Sequence, residues 1–400
     1  MEPDALLLGS TYRTGRQHEI WAWMREHAPV HRHEPGAFPG FWSLTRYDEI
    51  KEVLRDADAY SSSSGILLRP LEQGADPGGG RTLALSDPGR HQALRGAVAN
   101  WFAPRALRRL AESMERTASA IVGECLAAGR IDFVTDVAAK LPVEVVCSFM
   151  DIPATDRPDL VGWATAAFCA DTPTERSLAH LEILEYFTDL AERRRDEPGE
   201  DLVSVLTRVR LDGELLPVED VVLNCDSLFV GATENVRQTL AAGMLALLEH
   251  PAQWELLRAD FERFADPAIE EILRWTSTGT HTMRRATRPA ELGGRAIAAG
   301  DLLVCWLPSA NRDGAHFPRP DVFDLTRAPN QHLTLGFGPH YCVGTQLARL
   351  EIRAILREFT GRVGRVALDG APEFLESPVI GGPGRLPLSL SRSTPEPIDP

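Results

Sequence analysis

The sequence predicts a mainly α protein, helix-rich with a small β-sheet component. Three observations carry this expectation. Apolar residues recur at helical spacing through most of the 400 residues. Strand-like runs are few, short and bounded by Gly and Pro. No composition break or internal repeat divides the chain, so residues 1–400 are expected to form one domain, with 393–400 as a frayed tail, although the length alone allows two or three.

The first helical pattern is "YDEIKEVLRDA", residues 47–57, followed by "RHQALRGAVANWF" (90–102), "RALRRLAESMERTASAIVGECLAAG" (105–129) and "LAHLEILEYFTDLAERRR" (178–195). A long helix is expected over 217–250, where Pro217 suits the first turn and Glu219 and Asp220 complement the positive end of the helix dipole. "EEILRW" (270–275) and "TQLARLEIRAILREF" (345–359) complete the helices. The strand candidates are "GFWSLTR", "AELGGRAIAAG", "DLLVCWLP" and "LPLSLS". "LEQGADPGGGR" and "RDEPGED" read as surface loops.

Composition excludes several classes. With 44% hydrophobic and 25% charged residues, the chain suits a soluble globule with a large core. No signal peptide and no uninterrupted apolar stretch of membrane-spanning length is visible, so no membrane partner is expected. Six cysteines without framework spacing fit a reducing cytoplasm. A formal net charge of −15 argues against nucleic acid as a partner.

The stretch "LGFGPHYCVG" (335–344) carries the chemistry. Gly336, Gly338 and Gly344 let the backbone approach a partner closely or take positive φ. Cys342 stands just before a helix N-terminus, whose free N–H groups favour thiolate. A thiolate in a glycine-lined loop, aimed at a flat cofactor, describes an axial sulfur ligand to haem iron. The alternatives are a buried core cysteine and a zinc site built from His332, His340 and Cys342, which lacks a second cysteine.

The longer stretch "HLTLGFGPHYCVGTQLARLE" (332–351) resembles the haem-binding loop of the cytochrome P450 haem-thiolate monooxygenases, in their soluble bacterial form. Gly336, Gly338, His340, Cys342, Gly344 and the "LARLE" helix are all in register, while Leu335 stands where an aromatic residue is usual. The resemblance extends over nearly the whole chain. It implies the single-domain P450 fold, haem b (iron protoporphyrin IX) as cofactor and Cys342 as its metal ligand. It also implies that His91 and Arg95 of "SDPGRHQALR", Arg284 of "MRRATRP" just before a strand, and His340 reach the haem propionates. Burying two propionate charges takes several such charge-assisted donors. Glu271 and Arg274 match the family's Glu-x-x-Arg pair, with Arg327 as the expected third member, in fold maintenance and haem incorporation.

On the long helix, Gly231 costs roughly 1 kcal/mol against Ala and makes sense if a ligand needs the room. The family usually places an acid followed by a threonine just beyond. Aligned on Gly231, Thr233 falls at the acid position and Glu234 at the threonine position, followed by Asn235. Glu234 is expected to line the oxygen-side pocket, and Glu234 or Asn235, with water, to deliver protons. Alternatively the site uses peroxide, or performs oxidative coupling or rearrangement. Pocket walls are expected from "GILLRPLEQGADPGGG", residues 163–190, "TSTGTHTM" and "SPVIGGPGRLP", with Arg69, Glu72 and His281 as polar groups.

The function implied is insertion of oxygen from O2 into a small organic molecule, plausibly tailoring a secondary metabolite such as an antibiotic, either free or tethered to a carrier protein. A haem-binding sensor is the remaining alternative. Electrons are expected from a separate ferredoxin with its ferredoxin reductase, or from a flavin-type donor, docking on Arg349, Arg353, Arg357 and Arg312.

Overall fold

The computed structural model describes residues 2–169 and 172–392, so the expected tail at 393–400 lies outside the described residues. The helices that position the site are α1 (Tyr47–Arg55), α2 (Arg90–Val98), α3 (Pro104–Ala128), α4 (Arg157–Cys169), α5 (Pro173–Asp196), α6 (Val218–Glu249), α7 (Phe261–Thr276) and α8 (Thr345–Arg362). The strands used below are β1 (Val30–His33), β2 (Phe41–Leu44), β3 (Tyr60–Ser61), β4 (Arg130–Asp132), β5 (His281–Ala286), β6 (Leu302–Trp306), β7 (Val363–Leu368) and β8 (Pro387–Arg392).

Local chemistry sets the helix ends. α3 begins with Pro104 in its first turn and stops at Gly129, whose φ of 73° is the left-handed stop that glycine accepts without strain. At the start of α5 a capping box forms: the Thr172 hydroxyl accepts from the Glu175 N–H, and the Glu175 carboxylate accepts from the Thr172 N–H. α6 runs 32 residues, about 48 Å at 1.5 Å per residue. Its second half is buried on nearly every side, from Val236 through Leu247, so it crosses the interior instead of lying on it. α5, α7 and α8 pack against it.

The larger sheet has the order β1-β2-β6-β5-β3, with β6 parallel to β2 and the other pairs antiparallel. β6 is buried at all five positions, as a central strand covered on both faces should be. β5 was expected as a pocket wall, with Arg284 preceding a strand. Arg284 instead lies inside β5, opposite Leu303 of β6. Pairing on both edges makes this His- and Arg-containing segment a strand despite its composition. A second sheet, β7-β8-β4, closes the far end of the chain against α3.

The Glu-x-x-Arg pair organises the segment leading to the cysteine loop. Arg274 donates to both Glu271 oxygens at 2.8 Å, and both side chains are fully buried. Glu271 also accepts from Arg327 Nε at 3.1 Å, Asn330 Nδ2 at 3.0 Å and the Asp324 N–H at 2.9 Å. Arg274 spends its remaining donors on the carbonyls of Asn311, Pro320 and Val322. A buried ion pair persists only with its lone pairs and protons satisfied, and here the satisfying groups are the backbone of residues 311–330. The pair therefore fixes the course of that segment.

Candidate active site

Residues 335–344 form a tight loop held by its own backbone. The Cys342 N–H donates to the Leu335 carbonyl at 2.9 Å, and the Thr345 hydroxyl donates to the Cys342 carbonyl at 2.7 Å. Gly336 and Gly338 take φ of 75° and 72°, and a Cβ on Gly338 would lie 2.6 Å from the Leu54 carbonyl oxygen of α1. Glycine is thus required there both by conformation and by contact.

The loop forms one wall of a cavity of about 350 Å³. Cys342 lies deep in the protein, yet its side chain opens onto this space. Burial pushes the thiol pKa up, while the Gly344 N–H, the Thr345 hydroxyl and the charges of Arg95 and Arg349 pull it down. Burial is the larger effect, and the Gly344 N–H at the helix end opposes it. Of the zinc alternative, His332 points elsewhere, with Nε2 3.2 Å from Glu270.

At one end of the cavity four bases converge. His91 and His340 rings lie 4.1 Å apart, and burial first, then the charges of Arg95 and Arg284, lower both imidazole pKa values. For His340, burial first and then Arg284, His91 and Arg95 bring the pKa to about 3. Arg284 is buried, donating to the Thr282 hydroxyl and the Met283 carbonyl. Among the described residues no carboxylate forms an ion pair with Arg95 or Arg284. The nearby carboxylate of Asp87 accepts from the Ser61 hydroxyl and the Ser62 N–H and forms no ion pair with Arg95 or Arg284, so this basic end suits a dianion. A sulfur donor, a flat apolar space and this basic end fit a haem-thiolate group with two propionates.

α6 forms the opposite wall. Ser227, Leu228, Gly231, Ala232, Asn235 and Thr239 line the cavity, a stripe that follows from the helical period. Gly231 leaves open space where a Cβ would stand. The expectation that Glu234 lines this pocket is corrected: neither Glu234 nor Thr233 does. One residue from Asn235 is a rotation of about 100°, which carries Glu234 off the cavity face. There its carboxylate meets Arg237 at 2.6 Å and Gln238 Nε2 at 3.3 Å. Burial raises the Glu234 pKa, and Arg237 and Gln238 oppose that rise. The Thr233 hydroxyl donates to the Phe229 carbonyl at 2.9 Å. Asn235 takes the cavity position. Asn235, named from the sequence beside Glu234 for proton delivery, shares this face with Gly231 through their i, i+4 relation.

The outer walls are partly as expected. Ile66, Leu83 and Ala84 from the loop before α2, and Thr278 and Gly279 after α7, face the cavity. Arg69, Glu72 and His281 do not; Arg69 is 3.8 Å from Asp76, and His281 accepts from the Leu68 N–H. The loop before α2 is latched to α6 by Asp220, which accepts from Arg81 Nε at 2.6 Å and pairs with Arg90, and by Asn224, which accepts from the Leu83 N–H. The arginines of the expected basic docking patch all have acidic partners. Arg349 pairs with Glu270, Arg353 with Glu262 and Asp266, Arg357 with Glu262, and Arg312 with Asp321. Each of these charges is already met by an acid.

Comparison with known proteins decides the family. The family model "Cytochrome P450" matches residues 109–360, more than half of the chain. The chain belongs to the cytochrome P450 family. This P450 is 35% identical to cytochrome P450 NovI of Streptomyces niveus, with 93% of each chain covered. It is 31% identical to a steroid C26-monooxygenase of Mycolicibacterium smegmatis, over 98% of each. The crystal structure of P450 OxyD, involved in the biosynthesis of vancomycin-type antibiotics, superposes with a TM-score of 0.89 at 34% identity, covering 96% of this chain and 98% of that one. PksS, of the bacillaene polyketide synthase of Bacillus subtilis 168, superposes with a TM-score of 0.83 at 28% identity, covering 96% and 98%. The P450 is therefore a haem-thiolate monooxygenase of bacterial type, acting on a small molecule with electrons from redox partners. No helix among the described residues is long and apolar enough to cross a membrane.

Proposed function

We propose that this P450 tailors a secondary metabolite, inserting one atom of O2 into a medium-sized organic substrate, with haem b held by Cys342. The observation that carries the site assignment is the convergence of Cys342, the bases His91, Arg95 and His340, and the Gly231–Asn235 face on one cavity. The kinship with NovI, OxyD and PksS supports the biosynthetic setting. Because two of these relatives work on antibiotic or polyketide pathways by name, a carrier-tethered substrate fits the same reading. The electron donor is a ferredoxin with its reductase, docking elsewhere than on the neutralised arginines of α8.

When bound, the haem-thiolate group supplies the oxidising power, since thiolate donation favours O–O cleavage. The chain's own residues do the rest. The propionates would meet the guanidinium charges of Arg95 and Arg284 and the imidazoles of His91 and His340. Gly231 and Ala232 leave room in the cavity beside α6, and the Asn235 carboxamide supplies a polar group there that can orient water. Leu83, Leu228 and Val236 exclude bulk water and position the carbon to be oxidised.

The test is turnover of holoprotein with a panel of aromatic and polyketide-like substrates, free and carrier-bound. Product that requires both a reduced ferredoxin and O2 supports monooxygenation. Product formed at equal rate on hydrogen peroxide alone would replace it with a peroxide-driven reaction.

A further inference from the structure

Successive side chains of a strand alternate between its two faces, so histidines two residues apart share one face. The edge strand β1 carries such a pair, His31 and His33. Their rings lie 4.8 Å apart and nearly perpendicular, at 86°. A third donor comes from the amino-terminal end. Asp4 stands in the short 3-10 helix Pro3–Leu7, which is anchored by Leu6, fully buried in a cluster with Phe41 and Trp306 of the large sheet. The Tyr12 hydroxyl also holds that turn, donating to the Leu6 carbonyl at 2.9 Å. One ligand atom from each of Asp4, His31 and His33 lies within 4.8 Å of the other two.

The sheet fixes the His33 ring. It is 2% exposed and stacks on Phe41, with centroids 4.3 Å apart and planes 11° from parallel. Its Nε2 lies 2.8 Å from the Ser43 hydroxyl, which also accepts from Trp306 Nε1 at 2.8 Å. A hydroxyl oxygen has two lone pairs, so Ser43 can accept the Nε2–H as well and leave the Nδ1 lone pair facing Asp4. A polar partner on the far nitrogen sets the tautomer and ring angle of a ligating histidine in this way. Nδ1 is 2.5 Å from Asp4 Oδ1. In the chain alone this contact is an N–H donated to the carboxylate; with the proton on Nε2, a cation takes its place. Ligand atoms around a tetrahedral ion stand about 3.3 Å apart, so Asp4 must draw back by roughly 1 Å and His31 close in. Asp4 is exposed and His31 half-buried, so both have room to move. Two cations are also near: Arg295 beside His31, and Arg32 beside His33, the latter drawn away to Asp301 at 3.4 Å.

We propose that Asp4, His31 and His33 form a zinc-class metal site that staples the amino-terminal turn to the edge of the large sheet. Two imidazoles and a carboxylate make a mixed nitrogen and oxygen donor set that suits Zn2+, whereas Mg2+ and Ca2+ take oxygen ligands. Water completes the tetrahedron on the solvent side. None of the three residues lines the haem cavity, so the ion has no part in the oxidation and the inference is independent of the monooxygenase reading. Its effect is on stability, because an ion that binds only the folded chain shifts unfolding by mass action.

The experiment is calorimetric titration of tag-free, chelator-treated holoprotein with ZnCl2, and separately with MgCl2, for wild type, His31→Ala and Asp4→Asn, followed by thermal melts. The expected result is one Zn2+ bound per chain in wild type, no binding of Mg2+, and Zn2+ binding weakened about tenfold or more in both variants. The wild-type melting temperature should rise by about 3 °C at a ~100-fold excess of Zn2+ over Kd, a rise that both variants lose. The Soret band of the CO complex should be the same in all three proteins, which shows that the variants are folded. Wild type without stoichiometric Zn2+ binding would overturn the proposal, and so would equal binding in the variants, which would place the ion on other surface histidines. A protein that binds one Zn2+ yet shows no thiolate spectrum defeats the reading of the haem site and leaves this inference standing.

Discussion

Glu234 and Asn235 are adjacent in sequence and belong to different environments. Asn235 borders the reaction cavity, while Glu234 is locked against Arg237 behind it. Substituting them should therefore have different consequences. Glu234→Ala leaves the Arg237 guanidinium buried beside a hole and should cost about 3 kcal/mol of unfolding free energy, read from urea melts. Asn235→Ala should leave stability within ~1 kcal/mol and instead lower product per electron several-fold. Equal stability in both variants would mean that the ion pair contributes nothing. The identities of these residues were legible in the sequence, but their directions were not. An alignment anchored on Gly231 alone placed the acid in the pocket, whereas the 3.6-residue period puts Gly231 and Asn235 on one face.

At the scale of elements, the contact between α7 and α8 behaves as a charge lattice. Burial tends to raise the Glu270 pKa, but hydrogen bonds from Arg349 and His332, with their charges, outweigh it and hold the carboxyl at about 2. The folded value thus lies below the ordinary 4.5, so the stabilisation is present above about pH 4.5 and fades as pH falls toward 2. Glu270→Gln should destabilise the protein by about 1–2 kcal/mol at pH 7, allowing for solvent around a partly exposed group. The gap to wild type should narrow below pH 4.5. A pH-independent gap in urea midpoints would show that packing, not charge, joins these helices. These acids also pair with the α8 arginines from which a docking patch was expected. One helix face read by itself displays Arg349, Arg353 and Arg357; the facing Glu262, Asp266 and Glu270 become neighbours only through tertiary packing.

Over the whole molecule, the long helices were readable because each carries its own period and end signals: Pro104 and Gly129 bound α3, and Glu219 and Asp220 open α6. The cysteine loop was readable because its glycines are demanded by local geometry, as Gly338 against the Leu54 carbonyl makes plain. β5 was not, since its strand character comes from β6 and β3 on either side rather than from its own residues. Glu351 was visible as part of the "LARLE" helix, yet its lack of a partner exists only in the folded chain. The same holds for the basic cluster. His91, Arg95, Arg284 and His340 are spread over 250 residues of sequence, roughly, and only the fold makes them one site.

The central claim is that Cys342 binds the cofactor iron through sulfur, and one spectrum tests it most directly: the Soret band of the reduced CO complex in wild type and Cys342→Ser, with circular dichroism to confirm that both are folded. The account predicts a thiolate-type band in wild type that is lost in the variant, either with the haem itself or by conversion to the band of a haem without sulfur ligation. A folded Cys342→Ser protein that keeps the wild-type band would contradict it.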